Sequence, residues 1–126
     1  MTAKENSLNW FEISVKDIKR AKKFYETILG IKMQEMEMMG MKSAFFPWEA
    51  GSGKANGSLT QSKMHKPGKS GAKVYLNANP DLSKVLAKVK KAGGEVSMLK
   101  TSLGPNGFMA FFIDTEGNSV GLHSNK

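Results

Sequence analysis

The side chains that could carry acid–base chemistry are few in this sequence. Histidine and glutamate do such work most readily, because burial and neighbouring charges can tune both toward neutral pH. The chain has two histidines, His65 and His123, and no cysteine. Thiol catalysis, thiolate metal sites and disulfides are therefore excluded. His65 lies in a polar segment and is assigned no role, whereas His123 and Glu12 lie in alternating apolar stretches.

The first half of the chain predicts one strand, one helix and three further strands. Phe11, Ile13 and Val15 alternate with other residues, as in a half-buried strand. Asp17 is a candidate N-cap and Gly30 a candidate stop. Between them, apolar residues recur at helical spacing: Ile18, Ala21, Phe24, Tyr25, Ile28 and Leu29. Glycine-rich turns then separate three short segments that are predicted strands: Lys32–Met38, Lys42–Trp48 and Asn56–Gln61.

The second half repeats this pattern after a polar linker at 62–71. Val74 to Ala78 alternates as a strand, Asp81 is the candidate N-cap of a second helix, and three predicted strands follow: Glu95–Leu99, Phe108–Ile113 and Asn118–His123. The strands of the two halves align at an offset of 63 residues and the helices at 64. So long a period indicates two halves of one domain rather than a solenoid. We predict a single domain, 1–126, with modules at 8–61 and 72–124.

Charge and composition limit the partners. Lys and Arg number 19 against 11 acidic residues, for a net charge of +8, but Arg20 is the only arginine. Base and phosphate recognition favours the bidentate guanidinium, so we predict a solvated lysine surface and no nucleic-acid partner. No apolar run approaches the roughly 18 residues of a membrane span, and we expect a cytoplasmic protein. Five methionines between Met33 and Met41 predict core packing or a homodimer interface.

Two segments resemble the vicinal oxygen chelate family, also called the glyoxalase, bleomycin resistance and dioxygenase superfamily. Residues 10–17 (WFEISVKD) with the helix that follows resemble its opening strand and helix, and Phe112–Asn118 (FIDTEGN) is similar to its closing hairpin. The resemblance implies an α+β fold in which two tandem βαβββ modules form a curved mixed sheet around a concave cleft. It is strongest to proteins described as related to lactoylglutathione lyase. The fold hosts enzymes and drug-binding proteins alike, so function depends on the site.

The family's enzymes hold a divalent metal with one His or Glu from each of four strands. The resemblance places these positions at Trp10, Ser58, Lys73 and Gly121. An indole N–H, a protonated amine and a glycine are not ligands for a divalent cation, and a lone hydroxyl is a weak one. We therefore predict no metal and no other cofactor.

Residues two positions further along a strand share its face, so four polar side chains are expected to line the same cleft: Glu12, Thr60, Tyr75 and His123. Trp10 and Trp48 are expected to form its apolar walls. Glu12 and His123 are the candidate acid–base pair, although they could equally fill a disused cleft by bonding to each other or to Tyr75.

Three hypotheses follow. The leading one is a metal-independent protein that binds a small organic molecule in the cleft. The second is an enzyme, either a cofactor-free lyase or isomerase using Glu12 and His123, or a metal enzyme with shifted ligands Glu12, Tyr75 and His123. The third is a structural or partner-binding protein with a vestigial cleft. A homodimer is expected in each case.

Overall fold

Each half of the chain forms a four-stranded mixed sheet covered on one face by a helix. The computed structural model describes residues 1–126. The first half contains β1 (Trp10–Ser14), α1 (Ile18–Leu29), β2 (Gln34–Met38), β3 (Met41–Phe45) and β4 (Asn56–Gln61). The second contains β5 (Tyr75–Asn77), α2 (Ser83–Val89), β6 (Glu95–Ser102), β7 (Phe108–Ile113) and β8 (Ser119–Ser124). The α+β prediction of two tandem modules is confirmed.

Strand order is the same in both sheets. The first is ordered β1-β4-β3-β2 and the second β5-β8-β7-β6, with β1–β4 and β5–β8 parallel and the other pairs antiparallel. The repeat extends to single hydrogen bonds. The N–H of Val15 donates to the carbonyl of Thr60 at 2.9 Å, and that of Ala78 donates to the carbonyl of His123 at the same distance. These pairs are related by the offset of 63 that the sequence predicted.

Helix α1 has the ends that its sequence predicts. The Asp17 side chain accepts the N–H of Arg20, and Gly30 ends the helix in the left-handed region at φ 65°, where glycine has no Cβ to clash. The prediction that Asp81 is the N-cap of α2 is wrong, because Leu82 occupies that position. The Asp81 carboxylate instead accepts the Ser83 N–H and pairs with Lys100.

Several strand bounds also differ from those predicted. Strand β3 ends at Phe45, three residues before Trp48, since Pro47 has no N–H to donate to a sheet. Strand β6 extends to Ser102, beyond the predicted end at Leu99. The outer strand β2 is exposed along its whole length.

The methionine-rich segment is mostly outside the core. Met33 is buried, but Met36, Met38 and Met39 are 52, 61 and 97% exposed. The prediction of core packing is therefore confirmed for Met33 and wrong for these three. They lie on or beside β2, which has no neighbouring strand on its outer side. No helix in the structure has the length and apolar character needed to cross a bilayer.

The Asp114–Asn118 turn joins the two modules. The Glu116 carboxylate accepts the backbone N–H groups of Lys16 and Asp17, each at 2.9 Å, and forms a bidentate pair with Arg20. Burial alone would raise the pKa of Glu116, but these bonds outweigh it and lower that pKa to about 2. The second module is thus bonded to the start of α1.

Two further contacts complete this junction. The Tyr25 hydroxyl donates to Asp114 at 2.7 Å, and the Asn118 amide donates to the carbonyl of Ser14 at 2.8 Å. Burial raises the pKa of Tyr25 well above its ordinary value, and the neighbouring Asp114 carboxylate raises it further. The Phe24 ring packs on Phe112 with centroids 5.8 Å apart, so the junction has an apolar layer beneath its polar bonds.

Candidate functional site

The face of the first sheet opposite α1, here called the open face, carries three of the six predicted site residues, Trp10, Glu12 and Thr60. Alternation along β1 places Phe11 and Ile13 toward the helix and Trp10 and Glu12 on the open face. Trp10 lies opposite Asn56 of β4, and Glu12 lies opposite Ser58. The open face thus has an aromatic end at Trp10 and a polar middle at Glu12.

A cavity of about 500 Å³ lies at the aromatic end and is called the tryptophan cavity below. Its lining comes from the starts of β1, β2 and β4, from the loop before β2, and from the residues at and after the end of β3: Trp10, Lys32, Gln34, Phe45, Phe46, Pro47, Trp48 and Asn56. Its volume is within the range of small-molecule sites. The two tryptophans predicted as cleft walls therefore line one cavity.

The aromatic side chains of this cavity are held in place. Trp10 packs against Phe45 with ring centroids 5.7 Å apart and an angle of 57° between the rings. The Trp48 indole N–H donates to the carbonyl of Lys54 at 3.0 Å. Trp10 and Trp48 nevertheless remain 42 and 52% exposed, so each offers a ring surface that the protein itself does not cover.

Glu12 has a partner that the sequence analysis did not identify. Its carboxylate lies 3.0 Å from His65 Nε2, and His65 Nδ1 lies 2.7 Å from Ser62 Oγ. His65 had been assigned no role because it lies in the polar linker. The structure instead folds the start of that linker back over the open face, where the imidazole side chain is only 14% exposed.

The other predicted cleft residues bond elsewhere. Thr60 is buried and shares a hydrogen bond of 2.9 Å with Ser58. His123 Nε2 is 2.7 Å from the carbonyl of Asn106, so His123 and Glu12 are not hydrogen-bonded to each other. Tyr75 lies on the second sheet and packs on Phe111 with centroids 5.2 Å apart.

The four positions of the family's metal ligands do not fit a divalent cation. Ser58 is occupied by its bond to Thr60, and the Lys73 ammonium donates to the carbonyl of Lys69. Gly121 lies beneath the ring of Tyr75, whose Cδ1 would be 2.6 Å from an added Cβ. Trp10 offers only an N–H. No three His, Asp or Glu side chains of the chain converge as a ligand group.

Sequence reasoning missed two features of the site. Phe45 was expected only as part of a strand, and its packing on Trp10 depends on the register between β3 and β4. The Ser62–His65 contact spans three residues and has the spacing of a local turn, which was a usable signal. The contact between His65 and Glu12 spans 53 residues and had no such signal.

Comparison with known proteins gives consistent matches. The profile of the Glyoxalase/Bleomycin resistance protein/Dioxygenase superfamily matches residues 7–122. A glyoxylase-like domain-containing protein from Didymella fabae is 33% identical over 123 residues, covering 89% of this chain and 88% of the relative.

Solved structures resemble the fold. Glyoxalase I from Zea mays matches with a TM-score of 0.69 and 24% identity over 92% of this chain, which spans 45% of that protein. A glyoxalase/bleomycin resistance protein from Streptomyces sp. CB03234 matches with a TM-score of 0.67 and 24% identity, covering 94% of this chain and 100% of that one. At these identities the structures establish the fold alone.

Proposed function

Because the chain belongs to the glyoxalase/bleomycin resistance protein/dioxygenase superfamily, we propose that it is a glyoxalase-like protein that binds a small, flat organic acid in the tryptophan cavity without a metal ion. The proposal concerns binding rather than turnover. The predicted pair of Glu12 and His123 has no part in it, since each of these side chains bonds to a different partner.

One observation carries the proposal: the chain has two tryptophans, and both line the same cavity while remaining about half exposed. A large aromatic side chain gains free energy when its ring is covered. Two half-exposed indoles and Phe45 in one concave site therefore favour a ligand with a flat, unsaturated ring system that can stack against them.

The polar groups of the cavity indicate the rest of the ligand. Lys32 is the only charged residue in the lining. An anionic group of a ligand would therefore be attracted by one cation and repelled by no carboxylate. The amides of Gln34 and Asn56 can each donate and accept hydrogen bonds, although Asn56 already donates one to the carbonyl of Phe46 at 3.0 Å. A ligand with a carboxylate on a flat ring could pair with Lys32 and stack against the aromatic side chains.

Tryptophan fluorescence tests this proposal directly, because both indoles of the chain lie in the proposed site. Titration with 2-naphthoate should quench the emission to saturation. The uncharged 2-naphthamide should bind about threefold more weakly, for loss of one charge interaction with the exposed Lys32. Cyclohexanecarboxylate, which is not flat, should bind weakly or not at all.

Variants locate the binding. Trp10→Phe and Trp48→Phe each leave one reporter, and 2-naphthoate should quench both. Trp10→Ala should weaken binding about tenfold or more through lost stacking, and Lys32→Met should abolish the preference for naphthoate over naphthamide. Leu99→Ala, at an apolar residue exposed on the second sheet, is the control. EDTA should not alter the affinity. Failure of all three probes to quench, or metal-dependent quenching, would contradict the proposal.

We also propose that two copies of the chain pair through β2. This strand is the outer edge of the first sheet, and its backbone is free to pair. Met36 and Met38 alternate along it, with Met39 beside them in the turn to β3. These exposed thioethers form an adaptable apolar surface, which a second copy of the same strand would cover.

A further inference from the structure

Ser62, His65 and Glu12 form a hydrogen-bonded chain of nucleophile, base and carboxylate. We infer that this chain is a second site, independent of the tryptophan cavity, at which Ser62 acts as a nucleophile toward short carboxylic esters. The two sites share no residue. The inference rests on two distances: 2.7 Å between Ser62 Oγ and His65 Nδ1, and 3.0 Å between His65 Nε2 and Glu12 Oε1.

The partners of His65 determine which nitrogen carries its proton. An ionised carboxylate can only accept hydrogen bonds, so Nε2 must donate to Glu12. In a neutral imidazole Nδ1 then has a free lone pair, which accepts the Ser62 hydroxyl. A base that faces the hydroxyl and is oriented by a carboxylate is the arrangement that activates serine in hydrolases. Here the two ring nitrogens have exchanged places relative to the chymotrypsin template.

The local backbone holds Ser62 in position. The residue directly follows β4, which ends at Gln61, and its Oγ accepts the N–H of Met64 at 3.1 Å. A bond from His65 N–H to the carbonyl of Ser62, 3.2 Å long, closes the turn. The spacing between nucleophile and base is therefore set by a closed turn attached to a strand.

The surroundings of Ser62 leave room for a substrate and carry positive charge. Ser62 is half-buried and its neighbour Lys63 is exposed. The backbone N–H of Lys63 donates to no acceptor in the chain, and the N–H following a nucleophile is a donor that hydrolases use to stabilise an oxyanion. The cationic side chains of Lys63 and Lys66 add positive charge to the same segment.

The reaction balances with water as the only co-reactant. Ser62 Oγ bonds to the acyl carbon while its proton passes to His65 Nδ1, and the alcohol leaves with that proton. Water then attacks the acyl-serine, with His65 taking a proton from water and returning it to Ser62. The net change is ester plus water to carboxylic acid plus alcohol. Glu12 is a positioning residue throughout.

An alkyl fluorophosphonate tests the nucleophile, because activated serines displace its fluoride and keep the phosphonyl group. We expect one adduct by intact mass, located on Ser62 by peptide mapping and absent in Ser62→Ala. Ser70→Ala, at an exposed serine of the same linker, should label at the rate of the wild type. No adduct on Ser62 of the wild type would overturn the inference.

The role of the base has its own readouts. His65→Ala should label at least about 100-fold more slowly than the wild type. Glu12→Gln should also slow labelling, and Glu12→Asp, which keeps a carboxylate to accept the His65 N–H, should recover part of the rate. Equal labelling of the wild type and a folded His65→Ala variant would refute the assignment.

Discussion

At the scale of single residues, the positions that correspond to the family's metal ligands hold side chains that pack or hydrogen-bond within the protein. Ser58 bonds to Thr60, and Gly121 leaves room for the Tyr75 ring, which packs against it. Neither position could regain a metal ligand by one substitution without disturbing a neighbour. At these four positions the chain has a tryptophan, a buried serine, a lysine and a glycine, where the family's metal enzymes have carboxylates and imidazoles.

Gly57 lies where the backbones of β1 and β4 leave no room for a side chain. A Cβ at Gly57 would lie 2.5 Å from the carbonyl oxygen of Phe11 and 2.5 Å from its ring. Because the first of these atoms is backbone, the strands themselves would have to move. We expect Gly57→Ala to reduce the free energy of unfolding by about 2 kcal/mol, measured by urea denaturation.

Gly68→Ala is the matched control for that substitution. Gly68 has no heavy atom within 4 Å of the added Cβ, so alanine there should leave the free energy of unfolding within about 0.5 kcal/mol of the wild type. Equal stability of the two variants would show that β1 and β4 separate without cost.

At the scale of elements, the exposed edge of β2 favours pairing with a second copy of the chain. If a second copy covers Met36 and Met38, sedimentation equilibrium should give twice the mass of one chain. Met38→Lys should shift the protein to monomer, because the strand edge would then carry facing positive charges. A monomeric wild type would contradict the proposed pairing.

The second sheet supplies the control for this experiment. Leu99 is 74% exposed on β6, the outer edge strand of that sheet. Leu99→Lys therefore makes the same change of chemistry at the corresponding edge. It should leave the mass unchanged if β2 is the interface.

At the scale of the whole molecule, the Glu116 carboxylate joins the modules. Its folded pKa of about 2 lies below the ordinary value of 4.5. A lowered carboxyl pKa stabilises the fold above the unfolded value, and this contribution is lost as pH falls from about 4.5 through about 2. It amounts to about 3 kcal/mol at neutral pH.

Glu116→Gln should therefore lower the free energy of unfolding by about 3 kcal/mol at pH 7. The difference from the wild type should shrink as urea denaturation is repeated at lower pH, and it should be small near pH 2. Glu95→Gln is the control, since Glu95 is exposed and forms no ion pair. A difference that does not change with pH would show that the loss is one of packing rather than charge.

The sequence by itself determined the doubled fold. Apolar residues at period two and period 3.6, and glycines at the turns, are local signals, and they identified both modules and the ends of α1. The repeat predicted which residues of the two modules are equivalent, and the alternation predicted which face of each strand is buried, because a slip of one residue would turn every apolar side chain out of the core. The sequence also predicted that both tryptophans would wall a cleft with four polar residues, but none of those four lines the cavity that the tryptophans share.

Only the tertiary structure decided which polar groups meet. Glu12 was expected to share a site with His123, yet it bonds to His65, from a linker that has no periodicity to predict its path. Hydrogen bonds are short-range and directional, so a pair 53 residues apart in sequence depends on where a whole loop lies. Hydrophobic burial needs only the correct face of an element, and for that reason the core could be predicted while the polar partners could not.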